Sequence, residues 1–170
     1  MAEGLYFSGA AGILHPFRGF ASPLFICHST GGGKSACRNT LGFIRGGVTL
    51  TIVPLLSIGA DQTAKLQSLT AANQLPVQLY HLDEYRARDA NRSLCHLIDR
   101  LTDDSVTLFL FSSPQKLLSR EWSDCLGSLI ERQSVPFTLC VYECHLYAQF
   151  GAEFRGEFKD LKACLFNPIV

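Results

Sequence analysis

The chain has 170 residues, of which 47% are hydrophobic and 18% are charged, and its formal net charge is zero. This length suits one domain with a sizeable core, and the composition suits a compact α/β protein with buried strands. A neutral chain gives no support for nucleic-acid binding or membrane adhesion through bulk electrostatics, so a nucleic-acid site has to be argued from particular residues.

Strands and helices are predicted to alternate from Leu24 onward. Residues 1–21 show no clear periodicity and are predicted to form a poorly ordered or loosely packed N-terminal segment, whereas 22–170 form the domain. The predicted strands are Leu24–Cys27, Val48–Val53, Val77–Tyr80, Val106–Phe111 and Phe137–Tyr142. The predicted helices are Ser35–Phe43, Ser57–Leu69, Tyr85–Leu101, Pro114–Leu118, Ser123–Ile130 and Glu157–Cys164. This alternation predicts a mainly parallel central sheet with right-handed crossovers.

A glycine-rich turn, His28 to Ser35, follows the first predicted strand and precedes a helix. This is the layout of a phosphate-binding loop, in which glycines bring backbone N–H groups close to phosphates and the helix N-terminus favours negative charge. Lys34 would reach the β- and γ-phosphates, and the Ser35 hydroxyl would hold Mg²⁺. The general pattern has glycine where this chain has His28, so an ordinary glycine-rich turn before Lys-Ser is the alternative.

Seven cysteines, an odd number, are scattered along the chain. Neither a secretory signal nor an apolar run of about 18 residues is evident, so reduced thiols in an intracellular compartment are expected. Cys140, Cys144 and His145 do not have the spacing of a closed zinc site, and a metal cluster is not predicted there.

Three further segments, each at the end of a predicted strand, complete an ordered set of motifs. They are Val53–Gln62 with Pro-Leu-Leu-Ser, Phe111–Leu117 with Ser-Ser-Pro-Gln-Lys-Leu, and Tyr142–His145 with Tyr-Glu-Cys-His before an aromatic-rich stretch. With the glycine-rich turn, the chain resembles the first RecA-like domain of RecQ-like DExH-box superfamily 2 DNA helicases, over roughly residues 22–162. The resemblance implies an α/β, three-layer P-loop NTPase fold of the RecA-like type.

The resemblance also implies ATP and Mg²⁺ as cofactors, nucleic acid (DNA rather than RNA) as partner, no membrane, and a nuclear location in a eukaryote. The implied ATP- and phosphate-binding residues are Thr30, Gly31, Gly32, Gly33, Lys34 and Ser35, with Ser35 also on Mg²⁺. The implied catalytic residues are Lys34, Glu143, which would activate the attacking water, and His145, which would couple the nucleotide to the nucleic-acid face. The implied nucleic-acid contacts are Leu55, Ser57, Ser113, Pro114, Phe150, Phe154 and Arg155.

Plainer interpretations stay open for several of these residues. Glu143 and His145 could be ordinary residues of a strand-end turn, and Phe150 and Phe154 could belong to the core. Ser57 could be a helix cap.

The chain departs from the family pattern at Tyr142, which stands where the family has the aspartate of D-E-x-H. A neutral phenol cannot replace a carboxylate that helps to hold Mg²⁺. Its side chain projects toward the magnesium position, or it turns into the core and Glu143 holds the metal. The chain also ends at Val170 before a second RecA-like domain, and residues 1–61 lack the glutamine that reads adenine.

These departures leave ATP hydrolysis by this chain alone uncertain. The expectation is an ATP-binding helicase domain that binds Mg-ATP and nucleic acid but does not unwind DNA alone, with a partner supplying the second RecA-like domain. The alternative is a degenerate, non-catalytic nucleotide- or nucleic-acid-binding module.

Overall fold

A computed structural model describes residues 7–8, 11–14, 24–27, 32–101, 107–132 and 135–143. The strands are β1 (Phe7–Ser8), β2 (Ala11–Leu14), β3 (Leu24–Cys27), β4 (Gly47–Ile52), β5 (Val77–His81), β6 (Thr107–Ser112) and β7 (Phe137–Tyr142). The helices are α1 (Lys34–Arg45), α2 (Leu56–Ala72), α3 (Arg88–Asp99), α4 (Pro114–Leu117) and α5 (Arg120–Arg132), and a 3₁₀ turn covers Leu82–Glu84. None of the helices in these ranges is long and apolar enough to cross a bilayer.

All the described strands belong to one sheet in the order β1-β3-β2-β7-β4-β6-β5. Strand β4 pairs in parallel with β6 and β7, and β5 pairs in parallel with β6. Strand β2 is antiparallel to both of its neighbours, β3 and β7. The predicted α/β fold with a mainly parallel sheet is therefore confirmed.

The N-terminal part of the chain differs from the sequence prediction. Leu24–Cys27 was expected to be the first strand, but β1 and β2 precede it, within residues 1–21. The prediction was wrong because β1 has only two residues and β2 begins with Ala-Gly, two residue types that are depleted in strands. The predicted helix Glu157–Cys164 lies outside the described residues.

The buried side chains of β6 show why the domain has three layers. Leu108 and Leu110 join the larger apolar cluster, which includes residues of α3 and α5. Phe109 and Phe111, which alternate with them, join a second cluster together with Leu66 of α2. Successive side chains of a strand point to opposite faces, so α3 and α5 cover one face of the sheet and α1 and α2 cover the other.

Helix α1 lies unusually close to the sheet at Gly42. A Cβ atom built on Gly42 would lie 2.5 Å from Cζ of Phe109 and 2.8 Å from Oγ1 of Thr49. Real Cβ atoms do not approach other atoms so closely, and Phe109 is itself fully buried. Glycine at this position therefore sets the distance between α1 and β6.

We expect Gly42→Ala to destabilise the fold by about 1–3 kcal/mol, because the added methyl group overpacks a filled core. Gly127→Ala in α5 is the matched control, since its Cβ would meet nothing within 4 Å. Alanine is the better helix former by roughly 0.5–1 kcal/mol, so the control should be stabilised. Urea unfolding of both variants measures the two effects, and equal effects would contradict the close packing of α1.

Candidate functional site

Hydrogen-bonded pairing places the strand before the glycine-rich turn and the strand before Glu143 at the same edge of the sheet. Ala11 of β2 pairs with Ile26 of β3 on one side and with Tyr142 of β7 on the other. The three residues thus form one row, and the outer two are separated by two strand spacings, about 10 Å. Since β3 and β7 point the same way, the segments that follow them start close together.

The start of α1 has the backbone geometry of an anion-binding helix end. Gly33 precedes the helix with φ 86° and ψ 10°, a left-handed conformation that glycine adopts without strain. No side chain caps this end through a hydrogen bond, and the first turn contains no acidic residue. The partial positive charge of the helix N-terminus is therefore not neutralised by a carboxylate of its own first turn.

An open cavity of about 680 Å³ lies in front of this helix end. Its walls come from the glycine-rich turn and α1, from α2, and from the end of β7. The lining residues that bear on function are Gly32, Gly33, Lys34, Ser35, Asp61, Gln62, Lys65, Tyr142 and Glu143. Four of the predicted phosphate-site residues and the predicted catalytic Glu143 thus face one space, although more than 100 residues separate them in the sequence.

Tyr142 contacts both the core and the cavity. Its side chain is half-buried, packs against the apolar cluster that contains Phe109 and Phe111, and also lines the cavity. The resemblance places a carboxylate at this position of the sequence, whereas the cavity wall here contains a phenol. The next residue, Glu143, is half-buried and has φ 54°. This left-handed conformation is uncommon for a residue with a side chain.

Arg38, a residue that sequence analysis did not single out, lies one turn into α1 and is only 4% exposed. Its guanidinium stacks over the ring of Phe111 at 4.9 Å from the centroid and donates a 3.3 Å hydrogen bond to Oε1 of Gln62. Burial lowers the pKa of Arg38, while the neighbouring Cys140 and Tyr142 act in the opposite direction. The described structure thus holds a buried cation behind the cavity wall.

The four predicted nucleic-acid contacts that fall in described segments divide into two pairs. Leu55 is 49% exposed and Ser57 is also exposed, so both are accessible at the start of α2. The helix begins after Leu55, which makes Leu55 the N-cap residue, so the interpretation of Ser57 as a helix cap is wrong. Ser113 and Pro114, after β6, are buried.

The polar groups of Ser113 already have partners within the protein. Its backbone N–H donates to Oδ2 of Asp83 at 2.8 Å, and its hydroxyl donates to Oδ1 of the same carboxylate at 2.5 Å. Nearby, the ammonium of Lys116 donates to the carbonyl of Tyr85 at 2.6 Å. These bonds tie the segment after β5 to the segment after β6.

Six predicted site residues lie outside the described residues. They are Thr30, Gly31, His145, Phe150, Phe154 and Arg155. Their roles stay predictions.

The sheet order, the crossovers and the cavity at the carboxyl edge define the class of protein: an α/β domain of the RecA-like type. Comparison with known proteins gives the family. The chain is 29% identical over 143 residues to ATP-dependent DNA helicase Q5 of Mus musculus, 33% over 138 residues to RecQ-like DNA helicase BLM of Xenopus laevis, and 32% over 143 residues to ATP-dependent DNA helicase hus2/rqh1 of Schizosaccharomyces pombe. The predicted resemblance is confirmed: the chain is similar to part of a RecQ helicase domain.

These matches cover 81–84% of this chain but only 10–14% of the relatives' own length. No family model matches the chain, and no solved structure matches it significantly.

Cys140 gives a pH-dependent test of the packing beneath the cavity. Burial raises the pKa of its thiol from 9.0 to about 12, against the opposing effect of Arg38. Between these values the unfolded chain loses the thiol proton and the folded chain keeps it, so stability falls with rising pH by about 1.4 kcal/mol per pH unit. The contribution is fully present below pH 9 and is lost as the pH approaches 12.

Urea unfolding from pH 8 to 11 should show this extra slope in the wild type but not in Cys140→Ala, whose other titrating groups are the same. Parallel curves for the two proteins would mean that the thiol is not buried as described.

Proposed function

We propose that this chain binds a magnesium-bound nucleoside triphosphate, ATP by resemblance to its relatives, in the cavity in front of α1. The observation that carries the proposal is the convergence of Gly33, Lys34 and Ser35 with Glu143 on one cavity. Backbone N–H groups of the first turn would bind phosphate oxygens, and the Lys34 ammonium would neutralise their charge. The Ser35 hydroxyl would be the protein ligand to Mg²⁺.

The donor set fits the phosphates better than it fits the metal. The helix end offers N–H groups without an acidic residue in its first turn. At the end of β7, however, Tyr142 offers a phenol in place of a carboxylate, which leaves Glu143 as the acidic residue of that strand end that lines the cavity. We therefore expect the affinity of the proposed site for the nucleotide to depend only weakly on Mg²⁺.

Lys34→Ala should weaken nucleotide binding by roughly ten- to a hundredfold, because one charge-assisted contact with the phosphates is lost. Titration with a fluorescent nucleotide measures this. Arg120→Ala is the control, since it removes the same unit charge from a side chain that is 96% exposed and does not line the cavity. Equal affinities of the wild type and Lys34→Ala would refute the proposed site.

Tyr142→Asp should raise the Mg²⁺ affinity of the nucleotide complex by about tenfold or more, because a carboxylate in the cavity wall attracts the divalent cation. Tyr142→Phe keeps the ring and adds no charge, so its Mg²⁺ affinity should stay at the wild-type value. Magnesium titrations of all three forms, with thermal melts to confirm folding, decide the matter. An unchanged affinity in Tyr142→Asp would show that residue 142 is not at the metal position.

We further propose that the exposed start of α2, at Leu55 and Ser57, contacts a nucleic-acid strand, DNA by resemblance to the relatives. Action on DNA would place the protein in the nucleus of a eukaryotic cell. Translocation along DNA needs a second domain that closes on the same nucleotide, so a partner or a further part of the protein would have to supply it.

The chain alone is therefore expected to give no ATP-dependent product in a strand-displacement assay. A RecQ helicase of full length serves as the positive control. Unwinding by the isolated chain would contradict this proposal without affecting the nucleotide site.

A degenerate, non-catalytic binding module is the second candidate function, and Tyr142 favours it. ATP hydrolysis by the wild type and by Tyr142→Asp, each with and without single-stranded DNA, separates the two. Hydrolysis by the wild type identifies an enzyme, whereas binding without turnover identifies a module.

A further inference from the structure

Helices α3 and α5 pack side by side, and two contacts between them repeat along their length. The indole N–H of Trp122 donates to Oδ1 of Asn91 at 3.3 Å. About one turn further along both helices, the thiol of Cys125 donates to the backbone carbonyl of Cys95 at 3.9 Å. The interface thus brings together two cysteines that lie 30 residues apart in the sequence.

The position of Cys125 beside Cys95 also affects the pKa of the Cys95 thiol. A hydrogen bond from Cys125 lowers the pKa of the Cys95 thiol, and the ammonium of Lys116 acts in the same direction. Burial and the carboxylates of Glu121 and Asp99 oppose this effect. The thiolate is the reactive form of cysteine, so the lowered pKa favours Cys95 as the attacking sulfur.

Both cysteines are buried, but they line a groove that is open to solvent. Cys95 is 9% exposed and Cys125 is 6% exposed, and both line an open groove of about 510 Å³ between the two helices. Arg88, Arg92 and Arg120 line the same groove. A compact oxidant in this groove would lie next to both cysteine residues.

We propose that Cys95 and Cys125 form a reversible oxidative modification site, at which a peroxide converts two thiols into a disulfide that ties α3 to α5. The Cys95 thiolate attacks one oxygen of hydrogen peroxide, the O–O bond breaks, and the leaving hydroxide takes up the proton of that thiol as water. The Cys125 sulfur then attacks the sulfenic acid of Cys95, and the expelled hydroxide takes up the Cys125 proton as a second water. Two electrons pass from the thiols to the peroxide, and dithiothreitol reverses the change.

The disulfide would join α3 to α5. The segments that precede these helices, after β5 and after β6, are already linked by the hydrogen bonds between Asp83 and Ser113. The disulfide closes a loop that contains β6 and α4 and so restricts the unfolded chain. An increase in Tm of several degrees, on the order of 5–10 °C, is expected on oxidation.

A second cysteine pair provides a control within the same chain. Cys37 packs against Cys140, but burial raises the pKa of the Cys140 thiol to about 12. Cys140 is therefore almost entirely protonated at neutral pH and should remain a thiol under conditions that oxidise Cys95.

The test treats the purified chain with hydrogen peroxide at neutral pH and maps its peptides by mass spectrometry without reduction. A Cys95–Cys125 disulfide, a higher Tm, and reversal of both by dithiothreitol are expected. Cys95→Ala and Cys125→Ala should each lose the disulfide and the Tm shift, and thermal melts before oxidation confirm that they fold.

Three results would overturn the proposal. Cys95 and Cys125 could remain thiols or become only sulfinic and sulfonic acids, either could pair with another cysteine instead, or the disulfide could lower the Tm. The last result would mean that the bond forms only when the helices are forced out of their packing.

Discussion

The domain is organised by the parallel pairing of β4 with a neighbour on each side. Every residue of β4, Gly47–Ile52, is buried, and the strand is hydrogen-bonded to β6 and β7 along its length. Thr51 pairs with Phe111 on one side and with Cys140 on the other, so these strands end in the same row. Because parallel strands align their carboxyl ends, the residues that follow them meet at one edge of the sheet. The cavity exists because of this register.

Strand β2 extends the same edge to the glycine-rich turn. It is antiparallel to both of its neighbours, β3 and β7. Its contribution is a row of backbone hydrogen bonds that sets the separation of β3 and β7. A shift of β2 by one residue would change that row and would move the turn relative to Glu143.

Much of the fold could be predicted from local sequence. Strand β7 was predicted at its observed bounds, and β4 was predicted within one residue, because runs of β-branched and apolar residues define buried strands. Helix α3 starts at Arg88, three residues later than predicted, because the 3₁₀ turn at Leu82–Glu84 takes up the preceding chain. Such turns depend on tertiary contacts that periodicity does not contain.

The candidate site could be predicted in part for the same reason. The glycine-rich turn and Glu143 have local signatures, so their convergence followed from strand order. Arg38 has none, because a basic residue on a helix is ordinarily exposed. It is buried here since Gly42, four residues later on the same helix face, allows α1 to approach the sheet. The sequence signal that could have predicted the burial of Arg38 is its position four residues before a glycine in the middle of the helix.

The hydrogen bonds between Asp83 and Ser113 compete with the binding of an external anion at Ser113. A carboxylate tethered within the same chain is present at a high effective concentration, and it already occupies both donors of Ser113. An external phosphate would have to displace this resident anion and leave the Asp83 charge without those bonds. Binding of an anion at Ser113 therefore has to compete with Asp83. Leu55 and Ser57 at the start of α2 are exposed and are accessible without such competition.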